Sequence, residues 1–230
     1  KLRSYKKALA CDPISAFGGI VSCNFKINKK IAQELNKLFF EVIIGNGFEK
    51  ASLHILKKRK NLRLIDASKL KNENFINMIS NFDTLLLQKP DNKIFDNNNF
   101  KVVSKIKPTK KIFNDLLFAF NICRNVKSNA IVLTKDSSTI GIGSGQPSRI
   151  DSCKIAIDKM KKFQKINQND IILGASDAFF PFTDGIEILV QNGVSAIIQP
   201  SGSIRDKEII KFANELGVIL VFSNTRHFKH

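Results

Sequence analysis

Short apolar runs that alternate with segments of helical period constrain this chain more than any other feature of its sequence. Leu2 to Ala10 reads as a helix end, and Gly18 to Cys23 as a turn entering a strand. A helix over Lys29–Phe39, carrying apolar Ile31, Leu35 and Leu38, precedes a buried strand Val42-Ile43-Ile44. A helix around Ala51–Leu56 and a strand Leu62–Ile65 follow. Further on, Pro108-Thr109 opens a helix through Phe113, Leu116, Leu117, Phe120 and Ile122 to about Asn125. A strand Ala130–Leu133, a turn at Asp136-Ser137-Ser138 and a strand end at Ile140–Gly143 come next. Helices over Ile150–Phe163 and Asp184–Gln191, and one capped by Ser203 and stopped at Gly217, then alternate with strands at Asp170–Leu173, Val194–Ile198 and Val218–Phe222. Helices between successive strands require crossovers, and crossovers imply parallel strands covered on both faces. The expected class is therefore α/β, with helices on both faces of mainly parallel sheets. Between about Lys71 and Lys107 the pattern weakens into Asn-rich stretches, so the chain divides there into an incomplete first half, 1–105, and a second half, 106–230.

Composition narrows the function classes. With 43% hydrophobic and 25% charged residues in a chain of 230, a disordered or coiled-coil protein is excluded. No stretch reaches the roughly 18 apolar residues of a membrane span, and the Lys-rich start leads into Cys11-Asp12-Pro13 rather than a signal-peptide core, so a soluble cytoplasmic protein is expected. A formal charge of +17 favours a phosphate-bearing partner. Runs such as Lys57-Lys58-Arg59-Lys60 and Lys159-Met160-Lys161-Lys162 read more simply as solvated helical faces than as a nucleic-acid footprint, and one Tyr with no Trp offers little for base stacking. No metal is expected. Cys11, Cys23, Cys123 and Cys153 are not closely paired, and His227 and His230 at i,i+3 supply two imidazoles where zinc needs three or four ligands.

Several strand-to-helix connections carry residues suited to ligands. Gly141-Ile142-Gly143-Ser144-Gly145-Gln146-Pro147-Ser148-Arg149 lets backbone approach a ligand, offers helix N–H groups after Pro147 and adds the donor fork of Arg149. Its spacing is G-x-G-x-G, not the dinucleotide fingerprint. In Ser176-Asp177-Ala178-Phe179-Phe180-Pro181-Phe182-Thr183-Asp184, three phenylalanines either fill core or wall a slot for a flat ligand. Pro200-Ser201-Gly202-Ser203-Ile204-Arg205-Asp206 again joins a strand end to a helix start.

These segments, with Asp12-Pro-Ile-Ser-Ala-Phe-Gly-Gly19, Lys127-Ser-Asn-Ala130 and Arg226-His-Phe-Lys-His230, closely resemble in order the formyltransferase part of the bifunctional purine biosynthesis family. That family joins AICAR (aminoimidazole carboxamide ribonucleotide) formyltransferase to IMP cyclohydrolase, and the resemblance runs the length of the chain. It implies formyl transfer from the co-substrate 10-formyltetrahydrofolate to AICAR in IMP biosynthesis, by a cytidine-deaminase-like fold acting as a homodimer without a metal. Carried across by motif, the nucleotide site is implied to use Gly18, Glu41, Asn129, Arg149, Phe179 and Arg226. The folate side is implied to use Ile150, Phe179, Phe182, Asp184, Ser203 and Ile204.

The family's catalytic His and Lys belong to a Lys-His-x-Asn-Pro-Cys-Gly-like motif that precedes the Asp12 segment, and this chain starts after it. No catalytic residue is therefore expected within the chain, and neither His54 nor His227 takes that place. A truncated form, a subunit completed by a separate chain carrying the missing part, or a relic all fit this start. The alternative class is a noncatalytic basic protein that holds nucleotides or nucleic acid, whose binding falls steeply with salt.

Overall fold

The computed structural model describes residues 1–70, 76–92 and 97–229. The chain forms two compact units, Lys1–Pro90 and Asp91–His230. In the first, helices α1 (Leu2–Ala10), α2 (Lys29–Leu35) and α3 (Lys50–Leu56) alternate with strands β1 (Gly19–Cys23), β2 (Phe40–Gly45) and β3 (Arg63–Asp66). The strands pair in parallel in the order β1-β2-β3. Ile27, Ile31, Ala32, Leu35, Phe40, Ile43 and Leu56 form its core. A two-stranded hairpin, β4 (Asn77–Asn81) and β5 (Thr84–Gln88), completes the unit.

Helix α2 begins where Asn28 accepts a hydrogen bond from the Ile31 N–H at 3.0 Å, but it ends at Leu35, short of the expected Phe39. Arg59 explains the early stop. Its guanidinium donates to the carbonyls of Asn36 and, at 3.0 Å, Leu38, holding that segment outside the helical path and releasing Phe40 into β2. The basic run 57–60 follows the end of α3 rather than forming a helical face, and its Arg59 is partly buried.

The second unit contains β6 (Phe100–Val102), α4 (Lys110–Cys123), β7 (Ile131–Lys135), β8 (Ser138–Gly143) and α5 (Arg149–Phe163). It continues with β9 (Ile172–Ser176), α6 (Asp184–Gln191), β10 (Val194–Pro200), α7 (Asp206–Glu215) and β11 (Ile219–Ser223). Its six strands lie in the order β6-β11-β10-β9-β7-β8. Strands β9, β10 and β11, each separated by a helix, are parallel. Strand β7 runs antiparallel to both neighbours because a two-residue turn, Asp136 and Ser137 at φ 48° and 51°, folds β8 directly back on it.

Period-two alternation puts opposite residues of each strand into two cores. On one face Ile131, Leu133, Ile172, Ile197, Leu220 and Phe222 pack against α5, α6 and α7. On the other, Val132, Leu173, Ala175, Ala196, Ile198 and Val221 pack against α4, whose N-cap Thr109 accepts from the Ile112 N–H. Helix α7 begins at Asp206, three residues after the expected cap. The Asp206 carboxylate reaches back to the N–H groups of Gly202 at 2.8 Å and Ser203 at 3.2 Å, while Ser203 Oγ accepts from Arg205 N. Among the described residues no helix is long and apolar enough to cross a membrane.

The register brings distant segments to one end of this sheet. Ile131, at the start of β7, lies opposite Gly143 at the end of β8 and Ser176 at the end of β9. Pro200 and Ser223, the last residues of β10 and β11, are likewise partners. The connections after β8, β9, β10 and β11 and the segment before β7 therefore share one edge.

Strand β8 sits hard against α5: a Cβ added at Gly143 would lie 1.9 Å from the Ser152 carbonyl oxygen, and one at Gly141 would lie 2.1 Å from that of Ala156. Gly143→Ala is expected to lower unfolding free energy by about 3 kcal/mol, measured by urea denaturation, since backbone must shift to admit it. Gly145→Ala, whose Cβ meets only the far end of Lys127 but whose φ is +69°, should cost only about 1 kcal/mol. The buried thiol of Cys153 supplies a second test, because burial pushes its pKa up from 9.0 to about 12. Between pH 9 and 12 the unfolded chain loses this proton and the folded chain keeps it, so stability falls as pH rises through that window. Cys153→Ala should make the fall in urea midpoint between pH 9 and 10.5 shallower.

Candidate functional site

Arg149 opens helix α5 at the shared edge, and its guanidinium organises the surrounding loops. Its Nη1 donates to Ser176 Oγ at 2.8 Å and to Asp177 Oδ1 at 2.5 Å, while Nη2 donates to Asn129 Oδ1 at 2.6 Å. The Arg149 side chain is 9% exposed and that of Asp177 0% exposed, so the ion pair is closed to solvent. Ser128 Oγ donates to the second carboxylate oxygen of Asp177. Asn129 Nδ2 donates to the carbonyls of Gln146 and Pro147, both at 2.9 Å, which orients its amide. Burial makes these charge-assisted bonds strong and their geometry narrow.

The C-terminal segment is laced into the same network. The Asp177 carbonyl accepts from the His227 N–H at 3.0 Å, and the Lys229 carbonyl accepts from Ser128 N at 2.8 Å. His227 is buried, with its ring 4.8 Å from that of Phe120 and its Nδ1 2.5 Å from Asp91 Oδ2. Anchoring His227 directs its exposed neighbour Arg226 over the Phe179 ring, 4.9 Å from guanidinium carbon to centroid. Gly202 faces the same guanidinium, since a Cβ there would lie 3.5 Å from Arg226 Nη2.

The second unit thus brings together four of the residues marked as nucleotide-binding: Asn129, Arg149, Phe179 and Arg226. The first two turn much of their hydrogen-bonding capacity inward, whereas Arg226 faces solvent. The phenylalanine cluster divides its duties. Phe180 is buried in the core beneath Gly185, while Phe182 is half-exposed under the Arg205 guanidinium at 4.7 Å. Asp184 starts α6 and accepts from Gly185 N at 2.7 Å. Ser203 stands in the turn before α7, Ile204 beside it is fully exposed, and Ile150 is half-buried on α5.

Gly18 and Glu41 belong to the first unit. Gly18, at φ +72°, donates its N–H to the Phe39 carbonyl at 2.9 Å, and the Phe17 and Phe39 rings approach to 5.3 Å. Glu41 is exposed on β2, and His54 is exposed near the end of α3. Among the described residues no group of three or more His, Cys, Asp or Glu is disposed to hold a metal. The His227/His230 pairing includes His230, which lies outside the described residues.

Reasoning from motifs missed the roles of Ser128, Ser176 and Asp177. The available signal was Asp177 itself, a charged residue placed directly after a wholly buried strand, where it requires a partner.

A family model described as the AICARFT/IMPCHase bienzyme matches residues 1–159 of the chain. The chain is similar to the bifunctional purine biosynthesis protein PurH of Bradyrhizobium diazoefficiens, 43% identical over 236 residues. It is also similar to the proteins of that name from Fusobacterium nucleatum and Aquifex aeolicus, 44% and 41% identical over 227 residues. Each match takes in 99% of this chain and 44% of the relative, so the chain spans less than half the length of these curated relatives.

Proposed function

Since the chain belongs to the AICARFT/IMPCHase bienzyme family, we propose that it supplies the ligand-binding surface for formyl transfer from 10-formyltetrahydrofolate to AICAR in purine biosynthesis. The observation that carries this reading is the convergence of Asn129, Arg149, Phe179 and Arg226 at one edge of the second unit's sheet. In an open α/β sheet that edge is where ligands bind. Arg226 is exposed and held over the Phe179 ring, ready to take the ribotide phosphate through charge-assisted hydrogen bonds. Asn129 and Arg149, oriented by the buried network, meet the carboxamide. Phe182, Ile204 and the start of α6 at Asp184 form the folate side, where apolar surface suits flat rings.

The reaction itself joins the 5-amino nitrogen of AICAR to the formyl carbon and breaks that carbon's bond to N10 of the folate, which leaves carrying a proton. AICAR's amine is a weak nucleophile because its lone pair is delocalised into the ring. The step therefore needs a base to take the amine proton and a donor to stabilise the oxyanion on the formyl carbon. No residue of this chain is assigned either role, and its contribution is binding and orientation. Gly18 and Glu41 of the first unit are also nucleotide-binding in this proposal, and the sites are completed in a homodimer or with a separate chain bearing the catalytic pair.

Calorimetric titration of the protein with AICAR tests the reading. Saturable binding is expected, and Arg226→Ala should raise Kd by about 10- to 100-fold, the loss of roughly 1.5–3 kcal/mol of charge-assisted hydrogen bonding. The riboside, which lacks the phosphate, should bind more weakly by a similar factor and be indifferent to Arg226→Ala. Equal affinity for ribotide and riboside, or no saturable binding, contradicts the proposal.

A further inference from the structure

The Asp177 carboxylate is closed to solvent, yet the residue connects the segment before β7, the start of α5 and the C-terminal segment. Its carboxylate holds Arg149 on one oxygen and Ser128 on the other. Its backbone N–H donates to the Ala130 carbonyl at 3.3 Å, and its carbonyl receives the His227 N–H. One side chain and its peptide groups thus reach the immediate surroundings of Asn129, Arg149 and Arg226.

A buried ion pair is a weak source of stability. Removing two charges from water costs several kcal/mol, and well-packed apolar replacements often do as well or better. What the pair supplies here is geometry. With Nη1 shared between Ser176 and Asp177, the Arg149 fork is held in one plane, and Nη2 is delivered to Asn129 Oδ1. That bond, together with the two carbonyls on Asn129 Nδ2, fixes which way the Asn129 amide points.

We propose that Asp177 is a positioning residue for the nucleotide site, acting through Arg149 and Ser128 to hold Asn129 and the Arg226 segment in the orientation that receives AICAR. The role rests on the functional reading given above.

The test compares Asp177→Asn, which keeps shape but removes charge, with Leu189→Ala, a substitution in the core on α6 outside the network. AICAR titration and amide hydrogen exchange are run well below both unfolding midpoints. Asp177→Asn should raise the Kd for AICAR about tenfold, the size of one charge-assisted hydrogen bond. It should also speed exchange at Ser128 and His227. Leu189→Ala should lower the unfolding midpoint while leaving affinity and these amides unchanged. Ser128→Ala, which removes one arm of the clamp, should weaken binding about twofold to fivefold, and it carries the test if Asp177→Asn does not fold. An affinity unchanged in Asp177→Asn, or in Ser128→Ala where that variant stands in, overturns the role, as does a loss matched by Leu189→Ala. If the unsubstituted protein binds no AICAR, the functional reading falls with the positioning role. Exchange at Ser128 and His227 then still reports whether the clamp itself exists.

Discussion

The ion pair between Arg149 and Asp177 is the contact through which the loops of the second unit hold one another. Desolvated on both sides, it is supported by further hydrogen bonds, to Ser176 and Asn129 from the arginine and from Ser128 to the carboxylate. Those partners come from the segment before β7, the start of α5 and the end of β9. The sheet makes their meeting possible. Were β7 not folded antiparallel between β8 and β9, Asn129 would lie at the opposite end of the sheet from Arg149.

Much of this architecture is written in local pattern. The limits of α1 and α6 and the alternation of strands with helices follow from apolar periodicity and from Gly and Pro punctuation, because those signals depend on near neighbours in sequence. Where expectation and structure part, a particular side-chain contact or turn decides. Helix α2 stops early because Arg59, more than twenty residues away, takes carbonyls the helix would have used. Helix α7 starts late because a local turn precedes it: the Asp206 carboxylate accepts from the N–H groups of Gly202 and Ser203, and Ser203 Oγ accepts from Arg205 N. The reversal between β7 and β8 turns on two residues at positive φ, Asp136 and Ser137, neither of them a glycine.

At this edge the sequence marked the candidate binding residues but not the residues that support them. Asn129, Arg149, Phe179 and Arg226 were marked by the family resemblance of the motifs that contain them. Ser128 and Ser176 are ordinary residue types whose importance arises only when three distant segments meet. Of the phenylalanine cluster, readable either as core or as a ligand wall, Phe180 is core, while Phe179 and Phe182 each lie beneath an arginine. The +17 charge, taken alone, says little about this edge, where the Arg149 side chain is paired and nearly closed to solvent while Arg226 is exposed.

The central claim is that the loops at the carboxyl edge of the six-stranded sheet act as one binding surface for a ribotide. Hydrogen–deuterium exchange with and without saturating AICAR reports on it most directly. The account predicts joint protection of residues 127–130, 144–149, 177–182, 201–204 and 225–228, with the opposite edge around 136–137 and 192–193 unaffected. Protection spread evenly over the basic helices, or confined to the opposite edge, would contradict it.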